Sequence, residues 1–287
     1  MAEIPRLNGV IKALEQGKTA FVGFGSVDNE TATALAASNL DGVAFEMEHA
    51  PMSSPALRDA LQSMLDRRQI VDGGSLAPKV TPMVRIPPNG GEMNQWIVKQ
   101  VLDIGVYGII WPHVDTVEDA YNAVAAMRYP RVEGRPLREP FGRRGDAPNR
   151  AVTYWGITQQ EYYARADVWP LNPQGELLCS LMIESPEGIG NLPKMLQEVP
   201  GIGVIFTGEG DLSQELGHPR QYDHPDVLKG VKEILDICKA HNVPNGWFHT
   251  TLDNVEQVIK DGYRVIMAPS SRSYAVLHKG RTAAGRR

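Results

Sequence analysis

Cysteine is nearly missing from this chain of 287 residues: Cys179 and Cys238 are the only two, and no CxxC spacing joins them. That excludes a disulfide-stapled scaffold or a thiolate-rich metal site, and the pair reads as reduced structural thiols of a cytoplasmic protein. No apolar run approaches the ~20 residues needed to span a bilayer. Met1-Ala-Glu-Ile-Pro5 has no basic segment leading into an apolar stretch, so neither a membrane anchor nor a signal peptide is expected. Positive charge is also in short supply, with 29 Lys and Arg against 34 Asp and Glu and a formal net charge of -5. Phosphate neutralisation needs the opposite excess, which argues against nucleic acid or an anionic membrane as a partner. Several catalytic signatures are absent too. There is no GxSxG, Walker A or HExxH, and Gly23-Phe24-Gly25 lacks the third glycine of a dinucleotide fingerprint.

What remains is 42% hydrophobic and 22% charged, ordinary for a globular chain with a large core. Short apolar runs alternate with segments of helical period, the pattern of repeated βα units. Strands are expected near 19–24, 42–47, 81–86, 108–111, 177–183, 203–206, 244–248 and 264–267. Helices are expected near 30–38, 55–66, 93–104, 117–128, 189–197, 225–241 and 255–260. Thr116 and Asp119 carry a capping-box pattern, and Gly105 and Gly262 follow helix ends where a left-handed residue is favoured. Strands that are apolar throughout, such as Gly108-Ile-Ile-Trp111, suit a parallel sheet covered on both faces. An α/β fold follows, a (β/α)8 TIM barrel forming one domain over 1–287, since such barrels typically need about 250 residues. Periodicity cannot detect barrel closure, so an open doubly wound sheet stays as the alternative.

Segment 129–175, between strands 4 and 5, breaks this rhythm. It is rich in Pro, Arg and Gly and offers one plausible helix, near 158–166. Its arginines, Arg131, Arg135, Arg138, Arg143, Arg144 and Arg150, read as a solvated or subunit-contacting arm, or as a lid presenting cations to an anionic substrate.

In a barrel, functional groups sit where strands end and βα loops begin. Ionisable residues gather there: Glu46, Glu48 and His49 after strand 2, Arg85 after strand 3, His113 after strand 4 and Glu184 after strand 5. Glu209 and Asp211 follow strand 6, and His249 follows strand 7. Glu184 and Asp211 leave adjacent strands, so their carboxylates can converge on a hard cation such as Mg²⁺ or Mn²⁺; Asp211 alone would equally serve as a helix cap. Arg85 reads as a clamp for an anion or enolate oxygen, or as half of a buried ion pair with Glu46 or Glu48. His49, three residues after Glu46, reads as a general base oriented by a carboxylate, or as a structural histidine. His113, Glu209 and His249 belong to the same mouth as pocket wall or loop.

Taken in order, Glu48-His49-Ala50-Pro51, Val84-Arg85-Ile86-Pro87, Ile183-Glu184 and Gly208-Glu-Gly-Asp211-Leu-Ser213 resemble the HpcH/HpaI aldolase/citrate lyase family. The nearest branch is the class II 4-hydroxy-2-oxoheptanedioate aldolases. The resemblance implies a lyase using a divalent metal ion (Mg²⁺, Mn²⁺ or Co²⁺), held by Glu184 and Asp211. It would act on a pyruvate-type ketoacid and an aldehyde through a pyruvate enolate. It implies that Arg85 contacts the ketone oxygen and that His49, beside Glu46, moves the proton at the aldehyde or alkoxide oxygen. Gly210 and Asp211 would line the pocket for the pyruvate carboxylate. A homo-oligomer, a hexamer assembled through a C-terminal helix within 270–287, is implied as well. Three positions depart from the family's pattern. Glu46 stands for the common Asp, Met182 for a Gln, and Gly208-Glu-Gly-Asp211 for Gly-Pro-Ala-Asp. A related decarboxylase or CoA-thioester lyase, and a metabolite-binding barrel without turnover, are the alternative readings.

Overall fold

A computed structural model of the chain describes residues 5–87, 95–131, 137–268 and 274–286. Its strands are β1 (Ala20–Gly25), β2 (Gly42–Glu46), β3 (Thr81–Arg85), β4 (Gly108–Trp111), β5 (Val168–Trp169), β6 (Leu177–Ile183), β7 (Val204–Thr207), β8 (Asn245–Trp247) and β9 (Val265–Ala268). All pair in parallel in the order β4-β3-β2-β1-β9-β8-β7-β6, and β4 also pairs with β6. The register Gly108↔Leu178 to Trp111↔Leu181 closes the ring. The fold is therefore the expected (β/α)8 barrel, and closure excludes the open sheet. β5, two residues long, is an addition against the start of β6.

Side chains alternate across a strand, and that alternation sorts the core into two layers. Ala20, Val22, Ala44, Met83, Leu178, Met182, Val204 and Phe206 fill the barrel interior in one cluster, together with Val10, Ile11, Ala13 and Leu14. The last four lie on helix Gly9–Glu15, which packs against the interior cluster where the strands begin. Asn8 fixes that helix: its side chain caps the Val10 and Ile11 N–H groups and donates 3.0 Å bonds to the Tyr107 and Glu176 carbonyls. The strand residues of opposite parity, such as Phe21, Val43, Phe45 and Ile109, pack outward against the helices.

The helical expectations hold to within a few residues, as at Val117–Met127 with its Thr116–Asp119 capping box. Gly105 and Gly262 have φ of 123° and 102°. Residues 93 and 94 of the expected helix 93–104 lie outside the described residues. Helices Gly9–Glu15, Arg67–Gly73 and Asn149–Trp155 were not anticipated; seven residues are too few to display a helical period. Cys179 and Cys238 are buried free thiols. No helix among the described residues is long and apolar enough to cross a membrane. The C-terminal helix Ala275–Ala283 lies on its own barrel, with Gly280 so close to Phe21 and Val255 that a side chain there would collide. Arg286 ties the chain end down through 2.6 Å bonds to both Asp41 oxygens.

The described part of segment 129–175 leaves the C-terminal end of helix Val117–Met127 and returns at the start of β6, with its helix Asn149–Trp155 packed on helix Gln95–Ile104 of the outer wall. It holds two helices, Asn149–Trp155 and Gln159–Arg165, where one was expected. Of the arginines singled out, Arg131, Arg138 and Arg144 make ion pairs, while Arg143 and Arg150 are exposed. Arg144, 2% exposed, donates to Asp103 at 2.8 Å and to the Tyr162 hydroxyl at 2.7 Å, and lies over the Tyr129 ring. Arg131 pairs with Asp167 at 3.0 Å, and Arg138 with Glu139 at 3.3 Å. Arg135 lies outside the described residues. None of the described residues of this segment lines the cavity at the strand C-terminal ends, so the lid reading finds no support there.

The anchor of the segment is Arg128, fully buried, which donates to Asp167 at 2.6 Å and to the Pro140 carbonyl at 2.7 Å. Asp167→Ala would strand that guanidinium without its counter-charge, which typically costs 3–5 kcal/mol. Denaturant unfolding should show a loss of about that size, far above the ~0.5 kcal/mol expected of a surface change such as Lys232→Ala.

Candidate active site

The inward parity of the strands continues past the apolar interior. Two residues after Ala44 comes Glu46, two after Met83 comes Arg85, and two after Met182 comes Glu184. Each polar side chain thus emerges above the packed core at the C-terminal end of the barrel. There a cavity of about 350 Å³ is lined by Phe24, His49, Arg85, Met182, Glu184, Gly208, Gly210, Asp211, Gln214, Arg220, Tyr222, Phe248 and His249. A larger groove of about 880 Å³ lies on the outer wall, among helices Ser54–Ser63, Gln95–Ile104 and Asn149–Trp155, away from the strand ends.

Arg85 is held from two sides. Glu46 Oε2 accepts from its Nε at 2.9 Å and also from Nη2, and Glu48 Oε2 lies 3.0 Å from Nη1. The guanidinium also sits over the Phe24 ring, 4.7 Å from its centre. The other Glu46 oxygen accepts from the backbone N–H groups of Glu48 and His49, at 2.7 and 3.1 Å. Glu46 therefore orients Arg85 and the β2 loop, not the His49 ring, which is 66% exposed with Nε2 3.6 Å from Glu48 Oε2. Burial pushes the Glu48 carboxyl up, with Arg85 opposing.

Glu184 is 2% exposed and accepts the backbone N–H of His113 at 2.8 Å. Burial pushes its carboxyl up to about 8; the His113 N–H opposes this, and the negative charges of Glu48 and Asp211 add to it. Gly208, just before helix Glu209–Glu215, makes room for the Glu184 carboxyl, since a Cβ there would overlap it. Asp211 lies in the first turn of that helix, and its carboxylate comes within 4.8 Å of ligand atoms of Glu184 and His113. Gly210 has open space where a side chain would begin. The structure thus brings Glu184, Asp211, Gly210, Arg85 and His49 to one cavity, with Glu46 directly behind Arg85.

A divalent cation fits this donor set. Two carboxylates and an imidazole nitrogen converge, one carboxylate is buried without a full complement of positive charge, and a glycine holds the space beside it; oxygen-rich sites with few protein ligands suit Mg²⁺ or Mn²⁺. Sequence reasoning placed His113 at the mouth but did not join it to the carboxylates. The backbone explains why, since φ of 52° at His113 turns the chain out of strand geometry and aims its N–H at Glu184. Glu209 faces away from the carboxylate pair, with Oε1 2.5 Å from His249 Nδ1. Tyr222 and Arg220 were not singled out from sequence, and they come from an irregular loop with no local signature. A second trio, His218, His224 and Asp226, lies outside the cavity and serves as a helix cap, with His224 Nδ1 accepting the Asp226 N–H at 3.3 Å.

The raised Glu184 carboxyl has a signed consequence. In the unfolded chain it ionises near its ordinary value of 4.5, in the folded protein near about 8, so between these limits the folded state binds more protons. Its contribution to stability is complete below about 4.5 and is lost as pH rises towards about 8. The thermal midpoint of metal-free protein should fall across that window more steeply than that of Glu184→Gln, and Mg²⁺ or Mn²⁺ should raise it most at the upper end. Parallel pH curves for the two proteins would contradict this account.

Comparison with known proteins agrees with this geometry. The family model described as HpcH/HpaI aldolase/citrate lyase matches residues 24–273. The 5-keto-4-deoxy-D-glucarate aldolase of Shigella boydii is 29% identical over 248 residues, covering 86% of this chain and 84% of that protein. An Escherichia coli protein of the same name is 30% identical over 212 residues, covering 74% and 70%. The crystal structure of a family member from Burkholderia cenocepacia superposes with a TM-score of 0.76 at 26% identity, covering 96% of this chain and 97% of that one. The chain belongs to the HpcH/HpaI aldolase/citrate lyase family, and it is an enzyme of the aldolase and carbon–carbon lyase type.

Proposed function

We propose that the protein is a class II aldolase, cleaving or forming a 4-hydroxy-2-oxo acid through a pyruvate enolate. The observation that carries this reading is the meeting of Glu184, Asp211 and the clamped Arg85 at one cavity above the barrel core. Glu184 and Asp211 would hold Mg²⁺, Mn²⁺ or Co²⁺, with His113 as a further donor. When bound, the cation supplies Lewis acidity at the ketoacid oxygens.

The protein's own groups account for the rest. Arg85 cannot swing freely, because Glu46 and Glu48 grip it, and it faces the cavity as a pre-oriented donor. Charge that develops on the ketone oxygen as the C3–C4 bond breaks is stabilised by such a donor more than the neutral ground state is. Gly210 leaves the backbone of the first helical turn open to a carboxylate. His49, exposed at the mouth, exchanges protons with reactants through water. The names of the two aldolase relatives make a keto-deoxy sugar diacid the first substrate to assay. A CoA-thioester lyase would need a basic groove beside the cavity, and no described arginine of segment 129–175 is among the residues that line it.

Treatment with a chelator should abolish pyruvate release from 5-keto-4-deoxy-D-glucarate, and Mg²⁺, Mn²⁺ or Co²⁺ should restore it. Arg85→Ala should slow metal-dependent exchange of the pyruvate C3 protons, followed by NMR in D₂O, by roughly 10²–10³-fold, the usual loss for one charge-stabilising donor. Exchange at the wild-type rate in that variant would remove Arg85 from the mechanism.

A further inference from the structure

The carboxylate–histidine pairing that the sequence suggested for Glu46 and His49 is found instead on the β7–β8 side of the cavity. Glu209 opens helix Glu209–Glu215, is 4% exposed, and puts Oε1 2.5 Å from His249 Nδ1. The contact sets the Nδ1 edge of the ring against the carboxylate. The ring is positioned further by Tyr222, stacked on it at 5.0 Å and 24°, and by Asn254, whose Nδ2 donates to the His249 carbonyl at 3.1 Å. His249 and Tyr222 both line the cavity that holds Arg85, Glu184 and Asp211. The contrast with His49 is direct: that ring is more exposed, 66% against 47%, and its nearest carboxylate oxygen is 3.6 Å away.

We propose that Glu209 and His249 are the acid–base pair for the aldehyde half of the reaction, with His249 receiving the C4-hydroxyl proton and Glu209 positioning it. The assignment rests on the aldolase reading. As the C3–C4 bond breaks, its electron pair moves into the C2–C3 bond and the ketone oxygen takes the charge. The hydroxyl O–H pair becomes the aldehyde C=O, and the proton passes to His249 Nε2. Water then protonates the enolate at C3 to give pyruvate, and the hydroxide left behind takes the proton from His249, so atoms and charge balance with solvent as the only further reactant. A carboxylate 2.5 Å from Nδ1 favours this transfer by holding the ring so that Nε2 is the nitrogen left for the substrate. The two half-reactions thereby fall to different walls of the cavity: enolate stabilisation to Arg85 and the Glu184–Asp211 pair, aldehyde proton transfer to His249.

The test compares two readouts on the full chain with Mn²⁺ present: pyruvate C3 proton exchange, and pyruvate release from 4-hydroxy-2-oxoglutarate. His249→Gln should lower the cleavage kcat by roughly 10²-fold, the usual share of a general base, with KM little changed and exchange close to wild type. Glu209→Gln should lower the same kcat by about tenfold or more, as expected when the group orienting a histidine is lost. Retained exchange in both variants shows that the barrel and the enolate site are intact. Equal loss of both readouts, or undiminished cleavage in His249→Gln, overturns the assignment while leaving the aldolase reading in place. Wild-type protein that neither exchanges nor cleaves with metal overturns the aldolase reading, and this assignment with it.

Discussion

Four carboxylates, Glu46, Glu48, Glu184 and Asp211, gather at the cavity, where Arg85 pairs with Glu46 and Glu48. Taking charge out of water is costly unless it is matched, and Arg85 matches only the first two. Glu184, buried and facing Asp211, prefers to keep its proton well above the usual carboxylate range. A divalent cation bound between Glu184 and Asp211 would offset that imbalance and, on the proposed aldolase reading, supply the electrophile as well. The charge arithmetic of the mouth therefore links folding, cation affinity and catalysis in one place.

The barrel delivers this arrangement by parity. A residue two positions beyond an inward apolar side chain also faces inward, so Ala44 and Glu46, Met83 and Arg85, and Met182 and Glu184 form three matched steps from dry core to polar site. Helix Gly9–Glu15 packs at the opposite end, and the ion pairs of Arg131 and Arg144 in segment 129–175 lie away from the cavity. Elements that hold the barrel together and elements that do chemistry are thus segregated to its two ends, as is usual for this architecture.

Much of this was legible in the sequence because it follows from local pattern. Apolar runs marked all eight barrel strands, and the residues at their C-terminal ends marked the mouth. Barrel closure was not legible, because the β4–β6 pairing joins residues about 70 positions apart through registers that no periodicity encodes. The direction of individual side chains was not legible either. Glu46 turned to Arg85 instead of His49, and Glu209 to His249 instead of the cation site, each choice set by partners on other strands. His113 joined the carboxylates through a left-handed backbone turn at a non-glycine residue, which composition cannot announce. Arg131 and Arg144 were not legible as ion pairs for a related reason, since their counter-charges Asp167 and Asp103 only meet them in three dimensions.

The Glu184 carboxyl touches three successive βα connections at once: it emerges from β6, accepts the N–H of His113 after β4, and fills the hollow left by Gly208 after β7. That sector of the rim is consequently interlocked, and none of its loops can shift without disturbing the others. Arg220 and Tyr222 sit farther along the same β7 connection, beyond helix Glu209–Glu215, and His249 follows β8. Enlarging Gly208 would therefore push out a carboxylate from β6 and disturb the turn at His113 in one stroke, which ties the shape of the rim to a single missing side chain.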